Sequence, residues 1–525
     1  MTQFHLSSSY AMLNSKWLST TKIIFKDEIG ELSDYAQWLK EYLPALGKRK
    51  SYVSGKEVTL VRDYYPSRAL FISADEIKDI EMKPLTINEI KDIDSIINAV
   101  SEKWMYAGNK ILGNSNFVES SDLIIDSQYV IDSADISEST YVFGSSLIRK
   151  GSKYIFGSHF GGNGEFIVRT GAFFNAKRVF ESFIITDSSD IYFSHLCEGC
   201  NELLFSFFQK NKSYCIGNLQ LSKDKYFSLK NKIISELAYE LKKHKKFPSL
   251  FEIISNKKLQ NIRLAPKKEA AGDIKPIERA FSSTFNILFK KEASSLVDYE
   301  KWLSKYLTRI KDIKSAFGYP TYMLEGTEFP CLPKMPPHRL VSFYEGIELG
   351  NLSLEEKDIT SLARIIENLY QIAFFTVELR SGRASNIISS PLVYNGSDIY
   401  KVYDATFTLY AGVCSMALNS KYVFGCYRIL ESEFCIKCYN SLYLKRCFEL
   451  DSSTKCSDSF FCHNCEGLLD CMFCFNIKAK RNTIGNLSLP SDKYKILKMN
   501  LIEQIGNELN KNGDLKWDIY NIGGL

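Results

Sequence analysis

The 525-residue sequence contains no long hydrophobic run. Its most apolar stretch, Ile372-Ala373-Phe374-Phe375-Thr376-Val377, falls far short of the roughly 20 residues that cross a bilayer. The first residues, Met1 to Leu13, show no basic region followed by an apolar segment. No secretory signal is therefore expected, and the expectation is a cytoplasmic protein; a virion component would leave the same trace. A dominant charge is also missing. A net charge of +5 and a pI near 8.3 exclude a dedicated nucleic-acid binder and leave only local basic patches to consider. Phosphate-cradling loops are absent: Gly161-Gly162-Asn163-Gly164 is not followed by Lys-Ser or Lys-Thr, and no dinucleotide fingerprint follows a strand. The glycine doublets and alternating Asp of calcium-binding nonapeptides are missing as well.

Apolar residues are plentiful. With 45% hydrophobic and 13% aromatic residues, the chain can bury more than one core and is not a disordered tail. Fourteen cysteines in a chain without an export signal read as reduced thiols.

The sequence also repeats itself. KIIFKDEIGELSDYAQWLKEYL (22–43) returns 264 residues later as NILFKKEASSLVDYEKWLSKYL (286–307), with Trp38 meeting Trp302. At a shift of 268, SDIYFSHLCEG (189–199) meets SDSFFCHNCEG (457–467), and Ile216-Gly217-Asn218 meets Ile484-Gly485-Asn486. Identity there is roughly four in ten without gaps, which predicts a tandem duplication. The repeat units are placed at 20–256 and 284–525. The stretch 257–283, rich in Lys, Ala and Pro, separates them as a linker.

Each unit opens with an amphipathic helix, as in Tyr299, Trp302, Leu303 and Tyr306. A mixed region of short strands, loops and a further helix follows. Those helices are placed at Ile87–Val100 and at Leu354–Tyr370, the latter with a capping box at Ser353. Runs such as Tyr129-Val-Ile-Asp132 and Tyr141-Val-Phe-Gly144 then alternate with small polar turns, the texture of a parallel β-solenoid. The solenoids are placed at about 115–218 and 385–486. Cys438, Cys447, Cys456, Cys465 and Cys474 lie nine residues apart, which predicts coils of eighteen residues with two nine-residue sides. Capping helices are expected at about 223–244 and 491–510. The fold class is thus α+β, with two homologous units.

The closing motif Asn211-Lys-Ser-Tyr-Cys-Ile-Gly-Asn218, followed by Tyr226, resembles that of Cys/Asn-rich solenoid proteins from phages and uncultivated bacteria. That group is uncharacterised, so the resemblance implies a fold for the solenoid and cap regions and no activity.

Several residues carry chemistry. Cys462, His463, Cys465, Cys471 and Cys474 have zinc-like spacing, although two stacked columns three positions apart generate C-x-x-C by themselves. In the first unit Ser194, Leu203 and Ser206 replace three of the cysteines, which favours core filling and no cofactor. His195-x-Cys197-Glu198 and His463-x-Cys465-Glu466 invite a base–nucleophile reading, yet no third group is identifiable. Asp126, Asp132, Asp135, Asp187, Asp190, Asp451 and Asp458 suit a carbohydrate-active β-helix, but they sit beside Ser and Gly, where Asp favours turns. Lys48, Arg49 and Lys50, Lys242, Lys243, Lys245 and Lys246, and Lys267 and Lys268 form basic runs that suit a phosphate backbone or a helix end. The expected function is a non-enzymatic scaffold that binds a protein partner or joins a larger assembly. Nucleic-acid binding and a carbohydrate-active enzyme are the alternatives.

Overall fold

The computed structural model describes residues 7–260, 262–326, 329–437, 439, 447–451 and 456–524; Cys438 lies outside them. The chain is α+β, with helices and predominantly parallel sheets. It divides into two compact units, each built from three chain segments. Unit 1 contains Met1–Leu46, Ile111–Lys268 and Lys311–Glu378; unit 2 contains Gly47–Lys110, Glu269–Ile310 and Leu379–Leu525. These boundaries differ from the sequence segments 20–256 and 284–525, because residues 47–110 and 311–378 each join the unit formed by the other half of the chain.

In unit 1 the strands between Ile111 and Gln220 form one sheet, parallel except at its last strand. The pairing advances by twelve residues: Ile124 faces Ile136, Ile136 faces Ile148, Phe173 faces Ile185 and Ile185 faces Cys197. The step is thirteen at the first strand pair, between Ile111 and Ile124, and again between Ile148 and Gly161. The extra residue of the second sits at Lys150–Gly151, where two successive residues have positive φ (56° and 71°). Unit 2 keeps the twelve-residue step from Ile399 to Ala411, Val423 and Cys435. The eighteen-residue coil expected from the cysteines is therefore corrected to a twelve-residue step.

The backbone explains the number. From Phe117 to Tyr214 a left-handed φ recurs every third residue, with the single interruption at the insertion. Each such residue turns the chain after two extended ones, and the turns bring it back beside itself after twelve. The residue following each left-handed one points inward, so every third side chain builds the core. In unit 2 these are Val393, Ile399, Val402 and Ala405, continuing to Cys465, Leu468, Cys471 and Cys474. In unit 1 Ile124, Val130, Ile136, Val142 and Ile148 alternate with serines. Each of these serines donates to a carbonyl two residues back; Ser127 and Ser133 also accept a backbone N–H twelve residues on, and Ser145 one thirteen residues on. Ser133, for example, bonds the Ile131 oxygen and the Ser145 N–H. These bonds satisfy backbone groups that the narrow interior hides from water. Space is tight. A Cβ on Gly161 would stand 2.2 Å from Cζ of Phe173 in the next step.

Helices cover the flanks. Ser8–Phe25 lays Trp17 against Phe156, with ring centroids 5.2 Å apart. In unit 2, Lys275–Phe289 sets Phe281 against Phe424 at 5.1 Å. That helix begins inside the stretch read as a linker, because Pro276 occupies its first turn, where the missing N–H costs nothing. The opening helix of the second half is shorter than its periodicity suggests: a 3-10 turn, Leu296–Tyr299, then Glu300–Leu303. The helix expected from Leu354 starts instead at Leu362, capped by the Ser361 side chain on the Arg364 N–H. The first-half counterpart is Ile93–Ser101, capped by Asp92. The long closing helices run Lys223–His244 and Ser491–Asn512.

The last strand edge in each unit is closed by a side chain. Asn218 accepts from the Phe207 N–H and donates to the Phe207 oxygen (2.8 and 3.2 Å), and Asn486 does the same to Phe475 (3.1 and 3.0 Å). The amide takes the place of one further strand, which leaves no open row of backbone groups at that position.

Candidate functional site

The buried polar side chains outside the interior column form matched sets, 268 residues apart. His195 sits on strand His195–Glu198, fully buried between Phe208 and Phe375. Its Nε2 accepts the Thr376 N–H at 3.0 Å. His463 is equally buried; its Nε2 accepts the Ala107 N–H at 2.8 Å and its Nδ1 meets Asp451 at 2.7 Å. A ring nitrogen that accepts a backbone N–H carries no proton, so Nδ1 of His463 is the donor to Asp451. Burial holds His195 neutral, with its pKa lowered to about 3. The N–H donors to both rings lie on the segments that each unit takes from the other half. Those segments are held again twenty-two residues earlier: Leu354 N–H donates to Gly217 O at 2.9 Å, and Leu85 N–H to Gly485 O at 2.8 Å. Both glycines have positive φ (58° and 54°), and a Cβ there would collide with the same leucines.

A second matched set is ionic. Arg169 pairs with Glu181 at 2.8 Å, and Lys437 with Glu449 at 2.9 Å; all four side chains are buried. Arg169 stacks over Trp38 and Tyr42 (4.4 and 4.3 Å), and Lys437 lies over Trp302 and Tyr306 (5.0 and 6.0 Å). Tyr42 OH donates to Glu181, and Tyr439 OH to Glu449 at 3.2 Å. Burial raises both carboxyls, that of Glu449 to about 7. Removing two charges from water is costly, and only full pairing offsets the cost. The pairs therefore fix where the aromatic helices seat on the sheet. Sequence reading missed them, although Arg169 and Glu181, like Lys437 and Glu449, stand one twelve-residue step apart.

The Cys462, Cys465, Cys471 and Cys474 thiols point into the interior and donate to carbonyl oxygens, as Cys465 does to His463 O at 3.2 Å and Cys474 to Met472 O at 3.3 Å. Burial pushes the Cys462 thiol well above its ordinary range. The His463 ring is engaged elsewhere, by Ala107 and Asp451. Among the described residues no group of three or more His, Cys, Asp or Glu is arranged to hold a metal ion. Cys197 donates towards the carbonyls of His195 and Ser206, at 3.8 and 3.7 Å, and does not meet the His195 ring nitrogens. Asp126, Asp132, Asp135, Asp187, Asp190 and Asp458 all occupy left-handed turn positions.

The basic candidates fall in both units. Lys48 pairs with Glu57 (2.8 Å), Arg49 with Asp63 (2.8 Å), Lys242 with Asp27 (2.5 Å) and Lys245 with Asp34 (3.0 Å). Lys267 lies over the Tyr344 ring, and Lys50, Lys243, Lys246 and Lys268 are exposed. Among the described residues no helix is long and apolar enough to cross a membrane. Comparison with protein-family models, with curated proteins and with solved structures finds no match to the chain.

Proposed function

We propose that the protein is a non-enzymatic interaction scaffold. In this reading it is a tandem duplication whose halves each wind a parallel β-solenoid of twelve residues per coil, closed by a C-terminal helix. The halves exchange the segments 47–110 and 311–378. One observation carries the proposal: the side chains capable of chemistry recur in matched pairs and bind backbone or each other. His195 and His463 clasp the exchanged segments, Asn218 and Asn486 close the last edge, and the two ion pairs seat the helices. An active site needs titratable groups that converge where a substrate can reach them. Here the two histidines and the two ion pairs are buried and bonded to architectural partners, and the turn positions of the aspartates argue against the carbohydrate-active alternative. Solenoid faces and the helices beside them offer long regular surfaces to a partner.

Native purification tests this reading, with co-purifying species identified by mass spectrometry and by the ratio of absorbance at 260 and 280 nm. A stoichiometric protein partner with a protein-like ratio is expected. A high ratio that falls after nuclease treatment, with binding that collapses between low and moderate salt, would replace the scaffold by a nucleic-acid binder.

A further inference from the structure

Unit 1 holds a cleft of about 1370 Å³. Its walls are the helix Lys223–His244, the short helix Leu250–Ile254 and the first turns of Leu362–Asn368, with the turn around Trp38–Glu41 at one end. The apolar lining comes from Trp38, Tyr239, Phe247, Pro248, Leu362 and Ile366. Tyr239 is 62% exposed.

The charge in the cleft runs against that of the chain. Glu41, Glu236, Glu240 and Glu252 line it, and Lys246 is the one Lys or Arg among the lining residues. With His244 neutral the cleft carries a net three negative charges, in a protein whose total is +5. Part of this acidity has local work. Glu236 accepts the Leu362 N–H at 2.7 Å, Glu41 shares Arg169 at 3.1 Å, and Glu240 stands 3.5 Å from His244. Each carboxylate has lone pairs beyond these bonds.

Small-molecule sites occupy about 300–1,000 Å³, so this cleft is oversized for one. Its walls are helices, and a helix with its side chains is about 10–12 Å across. We infer that the cleft docks an amphipathic helix of a partner protein, apolar face against Tyr239, Pro248 and Ile366 above a floor of buried Trp38 and Phe247, Lys and Arg along Glu236 and Glu240. Helix-in-groove recognition supplies the affinity through the apolar face, and the charges select the partner and its orientation. The inference rests on the scaffold reading and names the chemistry of the partner.

The probe is a fluorescein-labelled peptide of about eighteen residues, built from Lys, Leu and Ala with Leu at helical spacing. Fluorescence anisotropy against the full chain should show saturable binding. The same composition scrambled, and the same pattern with Glu for Lys, should bind at least about tenfold more weakly. Glu240→Lys and Tyr239→Ala alter exposed positions and should each weaken binding by about fivefold or more, with unchanged circular dichroism and melting. Equal binding of the scrambled or acidic peptide, or no effect of either variant, overturns the inference. Carrying Glu240→Lys through the native purification separates the two readings. A stoichiometric partner that the variant retains in full overturns the cleft assignment and leaves the scaffold standing. A wild-type protein that purifies with no partner overturns the scaffold, and the cleft assignment with it.

Discussion

Replacing His195 by Gln should make the stability of unit 1 less sensitive to acid. The pKa of His195 is lowered to about 3 in the folded chain, against about 6.5 for an unfolded histidine. A lowered pKa means that the unfolded state binds the proton and the folded state does not. The stabilisation is therefore complete above pH 6.5 and is lost as pH falls towards 3. The whole window amounts to about 5 kcal/mol, and the part crossed by pH 5 to about 2 kcal/mol. Glutamine offers an acceptor to the Thr376 N–H and does not titrate. Its poorer fit should cost about 1–3 kcal/mol at pH 7.5. At pH 5 that deficit should shrink by about 2 kcal/mol. Urea unfolding followed by tryptophan fluorescence at both pH values reads the difference. His159, also lowered to about 3, and Glu181 are common to both proteins and cancel. A deficit that is equal at pH 7.5 and pH 5 would refute the buried neutral acceptor.

Glu449 should behave with the opposite sign. Its pKa is raised to about 7, so its contribution is present below about 4.5 and lost as pH rises through 7. Glu449→Gln leaves Lys437 buried without its counter-charge and should cost about 3–5 kcal/mol in denaturant unfolding, whereas Lys437→Met combined with Glu449→Leu should recover most of it. Cys462→Ser and Cys474→Ser should each change the melting free energy by less than about 1.5 kcal/mol. Serine already donates to a carbonyl two residues back at the matching positions Ser194 and Ser206. A large loss accompanied by zinc release in elemental analysis would contradict that assignment. Gly161→Ala should destabilise unit 1 by about 1–3 kcal/mol, because its Cβ collides with the Phe173 ring; unchanged unfolding would show that the stack yields there.

The α+β class was legible in strand-length runs followed by helical spacing. The closing helices were legible because Tyr226, Ile233, Leu237 and Leu241 recur on one face of Lys223–His244. The step length was not. Cysteines nine apart are an incomplete sampling of an inward position that recurs every three residues, and nine and twelve are both multiples of three. Had the turn positions been read, Asp132, Asp135 and Glu138 with their left-handed φ would have given the period of three directly. The clasp on His463 was half-visible, since Asp451 stands twelve residues earlier. Its other partner, Ala107, donates only a backbone N–H, which no side-chain pattern reports. The partners of the basic runs were hidden for a related reason: Lys48 and Arg49 are answered across a hairpin by Glu57 and Asp63, a pairing that depends on strand register.

The central claim is that each unit is completed by a segment from the other half of the chain. The unfolding transition of the isolated half-chain 1–268 tests it most directly. That fragment lacks Leu354 and Thr376, whose N–H groups bond Gly217 and His195. No cooperatively folded monomer is expected from it, and folding should return when the complementary half, 269–525, is added. A half-chain that folds alone as a monomer, with a cooperative transition matching that of the full protein, would contradict the account.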